Sequence, residues 1–313
     1  MQRMIRCVIV TAALVMALCG PSWAADKSIG VVFSGDLPRY QEAHKAFVRA
    51  LARAGFDQDK VAIYVQTPNP DAMSWTNSVR KFIGVDVDVI VTYGAPSSLA
   101  ALRETGSIPV VYAYVYDPVA CGLKKPNATG VSSKVPMMTL LKTLKSITPF
   151  SKIGVVFNPD ERDSVVQLDE IGRSSAALGY DVVEVSAKSG GEVKGRVAKA
   201  AGGVNCIYIS CSAVVSKDAS GIISIANKNK VPTITQVAGL DEKGVLLSLA
   251  PSPSEQGELA AEQVVRILKG ASPGGLPVEN AKKVDLVLNL KAANTLGLKI
   301  PFDVLNAATK VIK

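Results

Sequence analysis

The chain has 313 residues, of which 48% are hydrophobic, 20% charged and 5% aromatic, and its formal net charge is +8 at pH 7. This balance is typical of a globular protein of about two domains, and it excludes a disordered or collagen-like chain. The single histidine, His44, makes a histidine-based metal site or a Ser-His-Asp relay improbable, because either would have to be built around that residue. We expect His44 to be a solvated or hydrogen-bonded surface residue.

The first two dozen residues have the pattern of a secretory signal peptide. Arg3 and Arg6 precede an apolar run at residues 7–18, and small residues follow a Gly-Pro break. We predict cleavage between Ala24 and Ala25. The apolar run is too short for a permanent membrane span, so the mature protein is expected in the periplasm or outside the cell.

Two of the five cysteines, Cys7 and Cys19, precede the predicted cleavage site, and three follow it. Cys19 could carry a lipid anchor, but Leu18 before it is bulkier than such sites accept, so we do not expect lipidation. Cys121, Cys206 and Cys211 remain in the mature chain, each in or beside an apolar run. An odd number cannot form a complete set of disulfides, which favours buried free thiols.

The mature sequence opens each of its two halves with the same pattern. Ile29–Asp36 (IGVVFSGD) returns as Ile153–Asp160 (IGVVFNPD), and Ala54–Asp57 returns as Leu178–Asp181 at the same offset. Each copy is an apolar β-branched run, a polar turn and a helix that ends in glycine. This pattern is typical of the start of a parallel βαβ array.

The repeat continues through further predicted strands. Val87–Gly94 matches Val204–Cys211, and Ile108–Val111 matches Val231–Ile234. The sequence therefore predicts an α/β protein with two Rossmann-like lobes built on parallel sheets. Ligands of such sheets bind at the carboxyl ends of the strands, so two facing lobes would enclose one small ligand in a cleft.

Turn-forming residues suggest where the chain passes between the lobes. We expect crossings at Pro118–Ser133 and Ala271–Gly275. The predicted division assigns residues 1–24 to the signal peptide, 25–132 plus 250–278 to the first lobe, and 133–249 plus 279–313 to the second lobe. The predicted helices are Gln41–Ala54, Val135–Thr148, Val165–Leu178 and Glu255–Lys269, and the last is expected to have Ser254 as its N-cap.

Short motifs in a fixed order carry a family resemblance. They are Gly154–Pro159, Leu178–Tyr180, Arg266–Gly270, Leu288–Ala293 and Leu296–Pro301, with Asp117-Pro118 and Asn127–Val131 in the first half. Together they resemble ABC transporter substrate-binding proteins of the type that includes aromatic amino acid receptors. The resemblance implies a type I periplasmic binding protein fold, or Venus flytrap, with a multi-strand hinge. It implies a protein that closes on a small-molecule ligand and hands it to transmembrane permease subunits. We also expect a monomer without a cofactor.

Candidate ligand-binding residues follow the predicted strands, where backbone N–H groups and helix N-termini can hold a carboxylate or phosphate. They are Ser34, Asp36, Tyr93, Gly94, Ala95, Ser97, Ser98, Tyr114, Asp117, Asn158, Glu161, Ser164, Ser210, Ser212 and Gln236. The resemblance places Asn158 and Ser164 in a ligand-facing turn, Gly94–Ser98 at an anion-holding helix start, and Asp117 near the hinge. Alternatively, Asn158 and Asp36 cap helices and Asp117 starts a turn. We predict no metal or catalytic residues.

The sequence departs from the family at places that bear on the ligand. Ser212 and Ala213 stand where an acidic residue and an asparagine are usual, and a carboxylate there would pair with a ligand ammonium. Pro253 and Ser254 stand where tyrosines are frequent, which removes an aromatic wall. These departures weaken the assignment of an amino acid ligand, although a carboxylate from Asp36, Glu161 or Asp241 could compensate.

Three functions from different classes are compatible with these patterns. The favoured one is a solute receptor of an ABC importer for an amino acid or related small polar or aromatic molecule. A ligand sensor that reports to a membrane partner would have the same sequence features. An exported α/β enzyme is less favoured, because dinucleotide-binding and phosphate-loop fingerprints are absent. Lysines are scattered without interleaved aromatics, so nucleic-acid binding is not expected.

Overall fold

The computed structural model describes residues 26–313. The predicted signal peptide and Cys19 lie outside the described residues. The strands are β1 (Lys27–Phe33), β2 (Val61–Gln66), β3 (Val89–Tyr93), β4 (Val110–Val115), β5 (Ala128–Ser132), β6 (Lys152–Phe157), β7 (Asp181–Ser186), β8 (Cys206–Ile209), β9 (Thr233–Thr235), β10 (Leu247–Pro251), β11 (Glu279–Asn280), β12 (Val284–Asn289) and β13 (Lys310–Ile312).

The helices alternate with these strands along most of the chain. They are α1 (Pro38–Arg53), α2 (Ala72–Gly84), α3 (Ala95–Glu104), α4 (Met137–Ile147), α5 (Arg162–Leu178), α6 (Gly190–Ala201), α7 (Ala213–Lys217), α8 (Ala219–Lys228), α9 (Pro253–Leu268), α10 (Leu290–Leu296) and α11 (Phe302–Ala307), with a 3₁₀ turn at Pro273–Gly275.

The strands form two sheets, which we call the first and second sheet. The first has the order β11-β5-β4-β3-β1-β2 and is parallel throughout. The second has the order β13-β12-β10-β9-β8-β6-β7 and is parallel except for the antiparallel pair of β10 and β12. The predicted α/β fold with two Rossmann-like lobes is confirmed.

The sequence repeat has a direct structural counterpart. β1 lies between β3 and β2, and β6 lies between β8 and β7, so the two copies occupy the same position in their sheets. Both strands are buried from their third residue or earlier. Apolar β-branched residues on both faces suit such a strand, because helices cover the two faces of a parallel sheet.

Three segments carry the chain from one sheet to the other. Residues 133–136 follow β5 of the first sheet and lead to α4, which packs on the second sheet. Ser252 follows β10 of the second sheet and leads to α9, which packs in the core of the first. Residues 281–283 then connect β11 to β12. These crossings form a hinge of three segments, and the Ser252 N–H donates to the Lys283 carbonyl at 2.9 Å within it.

The observed crossings differ from the predicted ones. The Ala271–Gly275 stretch does not cross, because it contains the 3₁₀ turn that packs beside β5 of the first sheet. Pro118–Ser133 contains β5 itself, and the chain crosses just after it. The predicted division of the chain stays a prediction; sheet membership departs from it at residues 250–251, which belong to β10, and 279–280, which form β11.

Several helix starts were predicted too late. α1 begins at Pro38, because proline is favoured in a first turn where its missing N–H is not needed. α9 begins at Pro253 for the same reason, and Ser252 rather than Ser254 caps it by accepting from the Glu255 N–H at 3.4 Å. α5 begins at Arg162, three residues before the expected start.

His44 is not a freely solvated residue. It is partly buried on α1, and its ring stacks on Phe47 with the centroids 5.8 Å apart. Burial lowers the pKa of His44 to about 4, so the imidazole is neutral at pH 7. The three described cysteines are free thiols; Cys121 and Cys206 are buried as predicted, and Cys211 is partly exposed.

Candidate functional site

The carboxyl ends of the two sheets meet through buried contacts. Arg39, in the first turn of α1, is 5% exposed. Its Nη2 donates to the Cys211 carbonyl after β8 at 3.0 Å and to the Tyr40 hydroxyl at 3.3 Å. Its guanidinium carbon lies 4.6 Å from the Tyr40 ring centroid. The first lobe therefore places a cation against the second lobe.

A second set of contacts lies beside the hinge. The Tyr116 hydroxyl donates to Glu170 Oε2 at 3.0 Å, and Lys134 Nζ lies 2.9 Å from Asp117 Oδ2 and 3.5 Å from Glu170 Oε2. The Arg162 Nε donates to the Ala120 carbonyl at 3.3 Å. The lobes are thus in contact near the hinge as well as at Arg39.

Serine side chains of the first lobe form hydrogen bonds with the backbone at the start of α3. The Ser97 N–H donates to Ser34 Oγ at 3.1 Å, and the two serine hydroxyls are 2.9 Å apart. Ser98 Oγ donates to the Gly94 carbonyl at 2.7 Å. Gly94 has φ 95°, and a Cβ there would lie 2.6 Å from the Tyr40 hydroxyl, so glycine is required at this point.

The turn at residues 158–164 is also held by its own side chains. Ser164 Oγ donates within this turn, with the Asn158 carbonyl 2.7 Å away and the Glu161 carbonyl 2.8 Å away, and it accepts from the Asn158 N–H at 3.2 Å. Asn158 Nδ2 donates to Glu161 Oε1 at 3.1 Å. Both predicted residues shape the turn, and their direct contact with a ligand stays a prediction.

Glu161 links this turn to the segment after β8. Its carboxylate accepts from the Ala213 N–H at 2.6 Å, from the Val214 N–H at 3.1 Å and from Ser212 Oγ at 2.7 Å. Burial raises the pKa of Glu161 to about 7, and the neighbouring Asp163 charge adds to the rise while these donors oppose it. The sequence has serine at position 212 where an acidic residue is usual in the family. The Glu161 carboxyl group, from the preceding turn, lies next to Ser212 instead.

Asp163, in the first turn of α5, is a second buried acidic residue of this region. It is 1% exposed and accepts from the Ser164 N–H at 3.0 Å. Burial raises the pKa of the Asp163 carboxyl, and the Cys211 thiol, the Arg39 charge and the backbone N–H groups of Ser164 and Ala95 oppose the rise. The second lobe thus buries a carboxyl group whose ionised form is favoured by the Arg39 charge of the first lobe and by the Ala95 N–H at the start of α3.

Aromatic side chains line the first-lobe side of this contact. The rings of Tyr40 and Tyr114 have centroids 5.6 Å apart, and Phe33 packs edge-on against Tyr93 at 5.0 Å. Tyr114 has φ 58° within a bulge of β4 and is held by a hydrogen bond from its N–H to Gln256 Oε1 at 2.9 Å. Backbone strain of this kind in a residue other than glycine is frequent at binding sites.

Several buried polar atoms at these strand ends have no hydrogen-bond partner within residues 26–313. They include Tyr114 Oη, Gln167 Nε2 and Ser210 Oγ, with Tyr93 Oη deeper in the first lobe. The other end of Gln167 is fixed, since its Oε1 accepts from the Cys211 N–H at 2.8 Å. Unpaired buried polar atoms are costly, and a polar ligand would satisfy them.

The structure brings most of the predicted site residues to the meeting edges of the sheets. Asp36 is exposed, accepts from Gln41 and lies at the outer edge of this region, in a cavity that Ala213 and Lys217 of the second lobe also line. Asp117 lies at the hinge, where it accepts from the Ala120 N–H at 3.0 Å and pairs with Lys134. Gln236 is buried and bonded to Tyr208 and to a backbone carbonyl.

Three residues of this region were not predicted from the sequence: Arg39, Asp163 and Gln167. All three lie in the first or second turn of a helix that follows a repeated strand. Their position one turn beyond the strand ends was the signal available. Charged residues in the first turn of a helix are usually exposed to solvent, so the sequence alone did not mark these three as site residues.

The described residues offer no further site of an obvious kind for metal or nucleophile chemistry. No three His, Cys, Asp or Glu side chains between residues 26 and 313 converge enough to hold a metal ion. Gly270–Gly274 has the Gly-x-Ser-x-Gly spacing of a hydrolase nucleophile turn, but it follows helix α9, whereas that turn joins a strand to a helix.

The protein has two α/β lobes whose strand ends face each other, with buried polar residues between them. This arrangement is the type I periplasmic binding fold of two-lobed solute-binding proteins. The sequence comparison gives the family. The chain belongs to the ABC transporter substrate binding protein family, whose sequence model matches residues 28–312.

Individual relatives agree with this assignment. A tyrosine-binding protein of Clostridioides difficile (strain R20291) is 28% identical over 281 residues, which cover 87% of this chain and 81% of that protein. An ABC domain from Streptococcus pneumonia, solved in complex with L-Trp, is 26% identical with a TM-score of 0.88 over 92% of this chain and 100% of that one.

A third relative has a lower structural similarity at about the same sequence identity. A substrate binding protein with adhesive properties from Clostridium difficile, solved ligand-free and open, is 29% identical over 92% of this chain and 99% of that chain, but its TM-score is 0.68. This chain therefore has an overall arrangement nearer that of the complex with L-Trp. The direct contacts of Arg39 with the second lobe agree with a closed arrangement.

Proposed function

We propose that this protein is an extracytoplasmic receptor that closes on one small ligand and delivers it to the permease of an ABC importer. The ligand class we propose is an amino acid or a closely related zwitterion. The basic pattern of residues 1–24 supports export, and none of the helices in residues 26–313 is long and apolar enough to cross a membrane.

The observation that carries the proposal is the opposed pair of Arg39 and Asp163. Each is at least 95% buried, each belongs to a different lobe, and the Arg39 charge opposes the rise that burial causes in the pKa of Asp163. A guanidinium can hold a ligand carboxylate, and a buried carboxylate can hold a ligand ammonium. A zwitterion between the lobes would therefore have one partner on each side.

The surrounding groups support a ligand with a polar and an aromatic or apolar part. Tyr40 and Tyr114 supply aromatic surface, and Tyr114 Oη, Gln167 Nε2 and Ser210 Oγ supply polar atoms without partners in the described chain. The relatives described as tyrosine-binding and as bound to L-Trp support the same ligand class. Asp163 offers the acidic group whose absence at Ser212 had weakened this assignment.

A thermal-shift screen of the mature protein against amino acids, nucleosides, sugars and small acids tests the proposal. We expect an L-amino acid to raise the unfolding temperature, because a ligand at about a hundred times its dissociation constant adds about 2.7 kcal/mol to the free energy of unfolding. Calorimetry of that ligand should give one site per chain, and it should be recovered unchanged. Two independent sites for it, or steady product formation, would argue against the receptor function.

A further inference from the structure

A cavity lies between the lobes, close to the hinge. It has a volume of about 160 Å³ and is bounded by the loop at residues 238–242, the neighbouring strands β10 and β12, and Lys310 of β13. Glu42 of α1 and Pro253 of α9 close it from the first lobe. Arg39, Asp163 and the other cleft residues described above do not line it, so it is separate from the proposed amino acid site.

The floor of this cavity is one face of the β10–β12 pair. Leu247 and Leu249 of β10 point into the second-lobe core, so Ser248 and Ala250 face the opposite side. In the antiparallel register Ser248 is opposite Val287, and Ala250 is opposite Asp285. Cross-strand partners share a face, which places Ser248 and Asp285 on the same side of the sheet, toward the cavity.

Ser248 is a polar residue without a protein partner on this floor. It is 1% exposed, and its Oγ has no hydrogen-bond partner among residues 26–313. Its cross-strand partners are Val287 of β12, which is apolar, and Thr235 of β9, whose hydroxyl donates instead to the Ile209 carbonyl at 2.7 Å. A buried hydroxyl of this kind is a ready acceptor for a donor that enters the cavity.

The cavity is strongly acidic although the chain as a whole is basic. Four of its lining residues are acidic, namely Glu42, Asp241, Glu242 and Asp285, whereas Lys310 is the one basic lining residue. Lys310 Nζ lies 3.8 Å from Asp241 Oδ2 and 3.6 Å from Glu242 Oε1. Within the described chain Glu42 and Asp285 accept hydrogen bonds from hydroxyls but form no ion pair with a cation.

We propose that this cavity is a second binding site, specific for a small aliphatic ammonium compound. The ammonium group is held by the carboxylates of Asp285 and Glu42, and it donates a hydrogen bond to Ser248 Oγ. An ammonium supplies three donors to an environment of acceptors. Because Glu42 belongs to the first lobe and Asp285 to the second, the bound amine contacts both lobes and favours their closed arrangement.

Calorimetry with 1,4-diaminobutane as the probe tests this site on the full mature protein, without any cleft ligand. We expect one diamine per chain, no binding of the neutral analogue 1,4-butanediol, and a dissociation constant raised at least tenfold in the Glu42→Gln/Asp285→Asn variant. Ser248→Ala, which leaves the charges intact, should weaken binding about threefold or more, consistent with one lost hydrogen bond.

A matched control separates a specific site from general charge attraction. Glu184→Gln/Asp303→Asn makes the same change in net charge at two exposed positions outside the cavity, and it should leave the dissociation constant within twofold of the parent. The proposal is overturned if the parent gives no binding heat, if the cavity and control variants weaken binding equally, or if butanediol binds as well as the diamine. None of these results bears on the amino acid site.

Discussion

Replacing Gly257 with alanine is expected to destabilise the protein by about 3 kcal/mol, near the upper end of overpacking costs. Gly257 lies in α9 where this helix crosses α1. A Cβ at this position would lie 1.9 Å from the Ala43 carbonyl oxygen and 2.9 Å from the Phe47 nitrogen. Both are backbone atoms, so no side chain can rotate away and the two helices must separate. Urea unfolding of the parent and the variant measures the loss.

Gly172 provides the matched control for this substitution. It lies inside α5, and beyond its chain neighbours and the nearby backbone of its own helix a Cβ there would meet no atom of the described chain within 4 Å. Gly172→Ala should stabilise the protein by about 0.5 to 1 kcal/mol, because alanine has the higher helix propensity. Equal effects of the two substitutions would show that the α1–α9 contact does not constrain the fold.

Glu161→Ala is expected to cost about 3 to 5 kcal/mol of unfolding free energy, the range found when one partner of a buried charged network is removed. The change leaves the Ala213 and Val214 N–H groups, Ser212 Oγ and Asn158 Nδ2 without their shared acceptor. Glu184→Ala, at an exposed position of β7, should change stability by no more than about 0.5 kcal/mol. A loss below about 1 kcal/mol in Glu161→Ala would contradict this role.

The same carboxyl group gives a pH dependence with a definite sign. Burial raises the pKa of Glu161 from 4.5 to about 7, so between these values the folded state holds a proton that the unfolded chain has released. Stability contributed by this group is therefore present below pH 4.5 and falls as the pH rises toward 7. The difference in unfolding free energy between the parent and Glu161→Ala should be larger at pH 5 than at pH 8. A difference that grows with pH would contradict the raised pKa.

The fold could be predicted from the sequence wherever strands are buried on both faces. The repeat at Ile29 and Ile153 identified β1 and β6 because both are continuous apolar runs. The outer strands β2 and β7 were not predicted; both are largely exposed or half-buried, and neither has a counterpart in the repeated segments that identified the inner strands. The hinge position at 281–283 depends on which sheet accepts the two-residue strand β11, and no local pattern specifies that.

The candidate site was predicted in its location but less well in its chemistry. Strand ends pointed to Ser34, Ser97 and Ser164, whose hydroxyls are engaged in shaping their own turns. Arg39 and Asp163 were missed because their burial arises from contact between the lobes. A charged residue in a first helical turn is usually solvated, and the sequence does not reveal which of these turns face another lobe.

Calorimetry of the amino acid identified by the screen, with the parent and Asp163→Asn, tests most directly whether the two lobes hold a zwitterion. Asparagine keeps the shape of the side chain but removes the charge that we assign to the ligand ammonium. We expect about a 10- to 100-fold loss of affinity, equivalent to a charged hydrogen bond of about 1.5 to 3 kcal/mol. Asp169→Asn, at an exposed position of the same helix, should bind like the parent. Unchanged affinity in Asp163→Asn, with one site per chain retained, would contradict the assignment.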